Sequence, residues 1–224
     1  MNNKIQTSIY LMPGMAASPK IFELIKFPSN YKIIYLKWLK PNVNESIKSY
    51  SKRMSVLIND DNPVLIGVSF GGILVQEISK HIKVKKLIII SSVKSKVELS
   101  LSMRLAKKTG IYRLLPLNWI DDLEKLMLFV FGPSIKARVD NYKKYLSERD
   151  PAYLKWSINQ IVNWKQLKYE KNIIHIHGEK DKVFPLKYLD RNKNFIMVKG
   201  GTHATILRNN KWFSKNLPLI ISKD

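Results

Sequence analysis

The sequence contains no cysteine, few acidic residues and no long apolar run. The absence of cysteine excludes disulfides, thiolate zinc sites and a cysteine nucleophile, although it says little about the compartment. The richest apolar run, Leu87–Ile90, has the length of a strand, whereas a membrane span needs roughly 18 apolar residues. We therefore expect no transmembrane segment.

The first residues also lack the apolar core of a secretory signal. Met1–Thr7 is polar, and the next apolar stretch ends at the turn Pro13-Gly14. We therefore expect a cytoplasmic protein. A hydrophobic fraction of 45% and a charged fraction of 25% are ordinary for a globular protein, so we expect a soluble enzyme or binding domain.

The balance of charge is strongly basic. The chain has 39 Lys and Arg against 17 Asp and Glu, a formal net charge of +22. Such a charge favours acidic partners, such as nucleic acid, anionic membranes or acidic carrier proteins. The basic residues are scattered along the chain, so a solvated lysine-rich surface is the simpler interpretation. No nucleic-acid-binding motif accompanies the charge, so we do not expect nucleic acid, while an acidic protein partner stays open.

Short apolar runs alternate with amphipathic stretches along the chain. Runs of this kind are typical of strands buried in a parallel sheet. Helical spacing of apolar residues follows Ser69, and it also follows an N-cap that we place at Asn44. The alternation predicts an α/β fold with a mostly parallel sheet flanked by helices. The predicted strands are Ser8–Met12, Lys32–Leu36, Val64–Gly67, Lys86–Ser91, Ile173–His177 and Phe195–Val198.

The strand pattern is interrupted between about residues 93 and 164, where the apolar spacing is helical. We interpret this stretch as a helical cap, inserted after the fifth strand of a single domain spanning 1–224, because the strand pattern resumes at Ile173. The cap offers apolar side chains for a pocket roof, although plain helical core is the more common role of such residues. The candidates are Leu114, Trp119, Met127, Phe129, Phe131 and Trp156.

One short motif carries chemistry. Gly67-Val68-Ser69-Phe70-Gly71 is a GxSxG pattern between a strand run and a helical run, which is the setting of a nucleophile elbow. Gly67 and Gly71 would let strand and helix pass closely, because they carry no side chain. The alternative is a phosphate-binding turn at a helix N-terminus, but the sequence has neither a Walker lysine nor a GxGxxG motif.

A serine hydroxyl needs a base to remove its proton, and the chain has four histidines, His81, His175, His177 and His203. His81 ends the helix behind the elbow, whereas His175 and His177 share one side of a strand and suit packing roles. His203 lies in the glycine-rich segment Lys199–Ala204 directly after the last strand, where a side chain can reach over the carboxyl ends of the sheet. We therefore predict that His203 is the base.

An orienting carboxylate fixes the tautomer of such a base and stabilises the imidazolium. Asp181 and Glu179 both follow the penultimate strand and both qualify chemically. We predict Asp181, because it lies further beyond the strand, and assign Glu179 to support of the turn; an ordinary solvated turn aspartate is the alternative. Backbone donors for an oxyanion are expected at the amides of Phe70 and Met15, although the turn before Met15 could be a tight connection alone.

Taken together, these segments resemble the α/β-hydrolase superfamily over nearly the whole chain, in the order Ser69, Asp181, His203. Members commonly begin the oxyanion turn with His-Gly, whereas this sequence has Pro13-Gly14. The resemblance implies cleavage of an ester, thioester or amide through an acyl-enzyme, with no metal and no cofactor. We expect a carboxylic ester or thioester on a small-molecule or carrier-bound acyl substrate.

The stretch from Lys94 to Arg113 holds six basic residues against one acidic residue, Glu98. Such a surface could bind an acidic acyl-carrier protein. Esterases of this family that act on carrier-bound acyl groups use a surface of this kind. A non-catalytic binding protein with a hydrolase fold is a further alternative, in which Ser69 would be kept for structural reasons.

Overall fold

A computed structural model describes residues 6–114 and 143–223. Six strands form one sheet in the order β2-β1-β3-β4-β5-β6, and every neighbouring pair is parallel. The strands are β1 Thr7–Met12, β2 Tyr31–Tyr35, β3 Val64–Val68, β4 Lys86–Ile90, β5 Ile174–Gly178 and β6 Phe195–Val198. Because all six strands run the same way, their carboxyl ends share one edge of the sheet.

Helices connect the strands and cover the sheet, so the predicted fold class is confirmed. The described α-helices are α1 Ile47–Ser55, α2 Phe70–Ile78, α3 Leu101–Thr109, α4 Pro151–Asn163, α5 Thr205–Arg208 and α6 Asn210–Ser222. Short 3-10 helices occupy Pro19–Phe22, Lys96–Glu98, Ile111–Leu114 and Leu186–Tyr188. Within 6–114 and 143–223, none of the helices is both long enough and apolar enough to span a membrane.

Alternate residues of the strands point to opposite faces of the sheet, and each face has its own core. Ile9, Leu11 and Ile66 belong to the core that contains Phe213 and Leu217 of α6. The intervening residues belong to the second core, which contains side chains of α1 and α2. The members of this second core include Tyr10, Met12, Leu65, Ile89, Tyr50, Met54, Leu74 and Ile78. Burying each such side chain contributes roughly 1.5–3 kcal/mol to the stability of the fold. This gain explains why the continuous apolar runs lie in strands that are covered on both faces of the sheet.

Helix α1 begins two residues later than the predicted cap implied. Its N-cap is Ser46, whose Oγ accepts a hydrogen bond from the Ser49 amide at 3.2 Å. Asn44 instead adopts a left-handed conformation with φ 55° in the preceding turn, which an asparagine tolerates better than most residues. The assignment of the cap to Asn44 was therefore wrong, because Ser46 satisfies the first-turn donor.

The insertion lies between β4 and β5. It therefore follows the fourth strand, and its placement after a fifth strand was wrong. Its described helices, α3 and α4, pack against each other. Of the predicted roof residues, Trp119, Met127, Phe129, Phe131 and the side chain of Leu114 lie outside the described part, whereas Trp156 lies on α4.

Candidate active site

Ser69 lies in the turn between β3 and α2, with φ 53° and ψ −121°. A non-glycine residue with positive φ is uncommon, and such strain persists only where the surroundings hold it. Here the Ser69 amide donates to the Ile90 carbonyl at 2.9 Å, and the Ser92 hydroxyl donates to the Ser69 carbonyl at 2.7 Å. The turn therefore presents the partly exposed Ser69 side chain at the carboxyl edge of the sheet.

The two elbow glycines lie where no β-carbon would fit. A Cβ on Gly67 would lie 2.3 Å from the Gly71 carbonyl oxygen. A Cβ on Gly71 would lie 2.3 Å from the Pro13 carbonyl oxygen, in the turn after β1. These overlaps with backbone atoms explain why glycine stands on both sides of Ser69: the strand, the helix and the β1 turn approach too closely for any side chain.

His203 bridges the serine and a carboxylate. Its Nε2 lies 3.0 Å from Ser69 Oγ, and its Nδ1 lies 2.9 Å from Asp181 Oδ2. Asp181 follows β5 and His203 follows β6, so two neighbouring strands deliver both groups to the same edge. His203 is 8% exposed and Asp181 4%. Three side chains that are distant in the sequence thus form one hydrogen-bonded row.

The Asp181 carboxylate is held in place by its own turn. Its Oδ1 accepts hydrogen bonds from the amides of Val183 at 2.8 Å and Phe184 at 3.0 Å. Burial opposes its charge, but the charge of His203 and the hydrogen bond from it hold the pKa of Asp181 below its usual range. Asp181 is therefore an acceptor at neutral pH, so His203 donates from Nδ1, and in the neutral form of the ring the lone pair of Nε2 faces Ser69.

The other predicted candidates make their hydrogen bonds with groups other than Ser69. Glu179 Oε2 accepts a hydrogen bond from the Gly200 amide at 2.8 Å, so it supports the histidine loop rather than the imidazole. His81 contacts the Ser51 hydroxyl at 3.1 Å, beside helix α1. His175 and His177 are fully buried in β5, with a contact of 3.1 Å between Nε2 of the first and Nδ1 of the second.

The turn after β1 lies directly against the serine. A Cβ on Gly14 would lie 3.3 Å from Ser69 Cβ and 3.9 Å from Ser69 Oγ. Met15 is the next residue of this turn, and Phe70 is the first residue of α2. The first amides of a helix have no partner within the helix and carry its positive dipole end. Phe70 therefore adjoins Ser69, and Met15 follows the glycine that lies against it.

Two residues that the sequence had not indicated also contact this site. Ser92 binds the Ser69 carbonyl, as described above, and Trp38 Nε1 donates to the Gly14 carbonyl at 3.0 Å. The Trp38 ring stacks on Phe70, with centroids 5.1 Å apart and 8° between the planes. A tryptophan two residues after the predicted second strand was the one available signal, since loops at the carboxyl edge of a parallel sheet border the site.

The proposed cationic surface is smaller than the sequence suggested. Lys94 is fully buried, and its Nζ donates to the Asp190 carbonyl at 2.7 Å and lies 3.6 Å from Asp190 Oδ2. Its inclusion in a landing surface was wrong, because the sequence does not show that Asp190 is its neighbour. The exposed basic residues of this stretch are Arg104, Lys107, Lys108 and Arg113. Among the described residues, no cluster of three His, Asp or Glu could hold a metal ion.

Solved structures share this architecture over almost the whole chain. The chain is similar to a hydrolase from Pseudomonas aeruginosa PA01, with a TM-score of 0.75 and 12% identity over 100% of this chain and 92% of that one. A lipase-esterase related protein from Clostridium acetobutylicum gives a TM-score of 0.68 and 18% identity over 96% of this chain and 95% of that one. The chain is also similar to a bromoperoxidase from Bacillus anthracis, with a TM-score of 0.69 and 19% identity over 97% of this chain and 92% of that one.

No protein-family model and no curated protein matches the chain. At such low identity, the structural likeness establishes the architecture and leaves the chemistry to the site itself. The predicted resemblance is confirmed at this level: the chain has the α/β-hydrolase fold.

Proposed function

We propose that the protein is a serine hydrolase that cleaves a carboxylic ester or thioester through an acyl-enzyme, with Ser69 as nucleophile. The observation that carries the proposal is the position of the His203 ring, 3.0 Å from Ser69 Oγ and 2.9 Å from Asp181 Oδ2. Both contacts lie in the hydrogen-bond range that a nucleophile and its base require. Metal and cofactor play no part in the proposed reaction.

Acylation begins when Ser69 Oγ bonds to the substrate carbonyl carbon and its proton passes to His203 Nε2. The carbonyl electrons move to the oxygen, which becomes the oxyanion. As the tetrahedral intermediate collapses, the bond to the leaving alcohol or thiol breaks and the leaving group takes the proton from Nε2. The acyl group is then esterified to Ser69.

Deacylation repeats these steps with water. His203 Nε2 removes a proton from water as its oxygen bonds to the acyl carbon, and Ser69 Oγ leaves with that proton. The products are a carboxylic acid and the free enzyme. Asp181 stabilises the imidazolium in both halves of the cycle, since its carboxylate is charged, buried and fixed by two backbone amides.

The oxyanion would be bound by the amides of Met15 and Phe70. Gly14 leaves room for it, because a side chain at that position would crowd Ser69. The N-terminal position of Phe70 in α2 adds the favourable helix dipole. Removal of one such donor typically lowers kcat by about 10² to 10³, so the two amides account for a substantial part of the expected rate.

We also propose that 1–224 form one domain in which residues 93–164 cap the site. Two aromatic residues of α4 support the proposal. Tyr153 lies 5.3 Å from the Trp38 ring, and Trp156 lies 5.8 Å from the Phe70 ring. These contacts with the rings of Trp38 and Phe70 support a cap in which α4 borders the space that receives the acyl group.

The test is a panel of p-nitrophenyl esters and acyl thioesters, combined with fluorophosphonate labelling of Ser69. Ser69→Ala and His203→Ala should abolish labelling and lower turnover by about 10⁴ or more. The chain offers a matched control, because Ser51 Oγ and His81 Nε2 also lie 3.1 Å apart but belong to α1 and to the turn after α2. Ser51→Ala should retain full activity. Turnover that persists in Ser69→Ala would contradict the assigned nucleophile, and an unlabelled wild-type Ser69 would favour a non-catalytic binding protein.

A carrier-bound acyl group is a second candidate substrate. Helix α3 carries Arg104, Lys107 and Lys108 in exposed positions and contains no acidic residue, so it would attract an acidic carrier protein. The double variant Lys107→Glu, Lys108→Glu should raise KM for an acyl-carrier-protein thioester and leave p-nitrophenyl ester cleavage unchanged. Equal effects on both substrates would contradict this candidate.

A further inference from the structure

The indole of Trp38 touches both halves of the proposed oxyanion site. Its Nε1 donates to the Gly14 carbonyl at 3.0 Å, and its ring lies parallel to the Phe70 ring at a centroid distance of 5.1 Å. Trp38 follows β2, which is neither the strand that ends at the oxyanion turn nor the strand that ends at Ser69. One side chain from a third loop thus connects the two segments that supply the donors.

The hydrogen bond to Gly14 determines where the next amide points. The Gly14 carbonyl accepts a second hydrogen bond from the Ala17 amide at 3.1 Å, so its direction is fixed by two donors. In a planar trans peptide the C=O and N–H groups point in opposite directions. The two donors that hold the Gly14 carbonyl therefore also set the direction of the Met15 N–H, one residue from the glycine that lies against Ser69.

Trp38 is itself rigidly placed. The Tyr50 hydroxyl accepts from the Leu39 amide at 2.8 Å and donates to the Leu39 carbonyl at 2.9 Å, which fixes the backbone next to Trp38. The Trp38 ring also contacts the rings of Tyr50 at 6.3 Å and Tyr153 at 5.3 Å. A donor with so little freedom can keep a neighbouring peptide in one orientation through the reaction.

We propose that Trp38 is a positioning residue that orients the Met15 amide toward the oxyanion and braces Phe70, the source of the second amide. The inference rests on the proposed function. Misdirection of one donor weakens binding of the tetrahedral intermediate more than binding of the planar substrate. Loss of the indole N–H should therefore lower kcat with little change in KM.

The chain provides a control in a second buried tryptophan. Trp164 Nε1 donates to Glu77 Oε1 at 2.8 Å, and Trp164 is 2% exposed. Trp164→Phe thus removes a buried indole N–H, as Trp38→Phe does, but the acceptor is a carboxylate in the last turn of α2, away from the oxyanion turn. A general effect of losing a buried indole donor would appear in both variants.

The experiment compares wild type, Trp38→Phe and Trp164→Phe in p-nitrophenyl butyrate hydrolysis and in inhibition by an alkylboronic acid, which forms a tetrahedral adduct with the serine. In Trp38→Phe we expect kcat to fall at least about tenfold, KM to stay within about twofold, and the boronate Ki to rise in parallel with the fall in kcat. Trp164→Phe should keep kcat and Ki within about threefold of wild type. A third protein carries benzothienylalanine at position 38 alone, which replaces the N–H by sulfur and preserves the ring shape. If Trp38→Phe folds poorly, the kcat and boronate Ki of this third protein test the role of the indole N–H.

The outcomes separate the two proposals. Wild-type kcat and Ki values in both position-38 proteins would overturn the role of Trp38 while leaving the hydrolase intact. An equal loss in Trp164→Phe would overturn it as well, because the effect would not be specific to the oxyanion turn. A wild-type protein that neither cleaves esters nor binds the boronate would remove the proposed function and this inference with it.

Discussion

His177 Nε2 lies 3.3 Å from Oδ2 of Asp181, the carboxylate oxygen that also lies 2.9 Å from His203 Nδ1. The same His177 nitrogen lies 2.9 Å from the Phe184 carbonyl, which can only accept, so His177 carries its proton on Nε2. Its Nδ1 then accepts from His175 Nε2 at 3.1 Å. The proposed triad therefore continues into the sheet as a buried row of two neutral imidazoles behind the carboxylate.

This row predicts that the fold loses stability as the pH falls below neutrality. Burial lowers the pKa of His175 well below 6.5, aided by repulsion from His177, when that ring is protonated, and from Lys94. Burial also lowers the pKa of His177, although Asp181 opposes the shift. In the unfolded chain these two histidines take up protons below about pH 6.5, whereas in the folded chain they do so only at lower pH, so their stabilisation is complete above pH 6.5 and is lost as the pH falls below it. The loss is at most about 1.4 kcal/mol per pH unit for each histidine.

Urea unfolding of the wild type and of His175→Leu between pH 8 and pH 5 measures this effect. Leucine can fill the site beside the Phe195 ring, 5.0 Å from His175, but cannot titrate. The decrease of unfolding free energy with falling pH should be clearly shallower in the variant. Identical slopes would mean that His175 is not one of the groups that resist protonation.

The carboxylate itself should decide the tautomer of His203. In Asp181→Asn, the amide nitrogen can replace Oδ2 and donate to Nδ1, which would move the imidazole proton to Nε2 and leave no lone pair for the Ser69 proton. We expect kcat to fall by about 10³ to 10⁴, by analogy with triads in general. The measurement is ester hydrolysis at pH 7, with circular dichroism to check the fold.

Glu179→Gln is the matched control for that experiment. Glu179 lies two residues before Asp181 and accepts from the Gly200 amide, a contact that a glutamine oxygen can keep. Its kcat should stay within about tenfold of the wild type. If Glu179→Gln were the more damaging substitution, the orienting carboxylate would have to be reassigned to Glu179.

Much of this arrangement could be predicted because its determinants are local. A strand buried on both faces reads as an uninterrupted apolar run, and the predicted Phe195–Val198 matches β6 as observed. The elbow combines such a run with small residues at fixed spacing. Asp181 and His203 follow neighbouring parallel strands, so the topology alone brings them to one edge.

The features that were missed depend on contacts between distant segments. The bond from Trp38 to Gly14 joins residues 24 positions apart, and no periodicity marks either one as a partner of the other. Lys94 resembles the other basic residues of its stretch, and only the fold brings Asp190 to it, 96 positions later. The N-cap of α1 was misplaced because Asn44 and Ser46 are both good capping residues, and local backbone geometry decides between them.

Gly14 and Gly71 should respond differently to a single added methyl group. The Cβ of Gly14→Ala would lie 3.3 Å from Ser69 Cβ, a crowding that a shift of a few tenths of an ångström relieves, so the variant should fold. The methyl group would occupy space beside Ser69 Oγ, and kcat/KM should fall by about tenfold or more. The Cβ of Gly71→Ala would lie 2.3 Å from the Pro13 carbonyl oxygen and should prevent folding.

Gly110→Ala serves as the reference for both variants. Gly110 caps the C-terminus of α3 with φ 71°, and an added Cβ would have no atom within 4 Å, so alanine there costs only about 1–2 kcal/mol of backbone strain. Purified yield, circular dichroism and p-nitrophenyl ester hydrolysis compare the three proteins. A folded, active Gly71→Ala would contradict the close packing of the elbow against the β1 turn.

The last prediction concerns the buried ion pair of Lys94 and Glu98, which lie in the segment that connects β4 to α3. Lys94 Nζ lies 3.9 Å from Glu98 Oε1, and both side chains are almost fully buried. Burial raises the pKa of Glu98, an effect that the backbone amides of Lys94 and Asp190 and then the Lys94 charge oppose. Lys94→Met removes that charge and leaves a buried carboxylate, so we expect the unfolding free energy to fall by about 3–5 kcal/mol.

The sign of its pH dependence follows from the raised pKa of Glu98. A carboxyl group with a raised folded-state pKa contributes its stability below the ordinary value of 4.5 and loses it as the pH rises through the folded value. The deficit of Lys94→Met should therefore be larger at pH 8 than at pH 5, and the double variant Lys94→Met, Glu98→Gln should recover part of it at pH 8. Urea unfolding at the two pH values measures both effects. A double variant as unstable as Lys94→Met at pH 8 would show that the loss comes from the missing contact to the Asp190 carbonyl and not from an uncompensated charge.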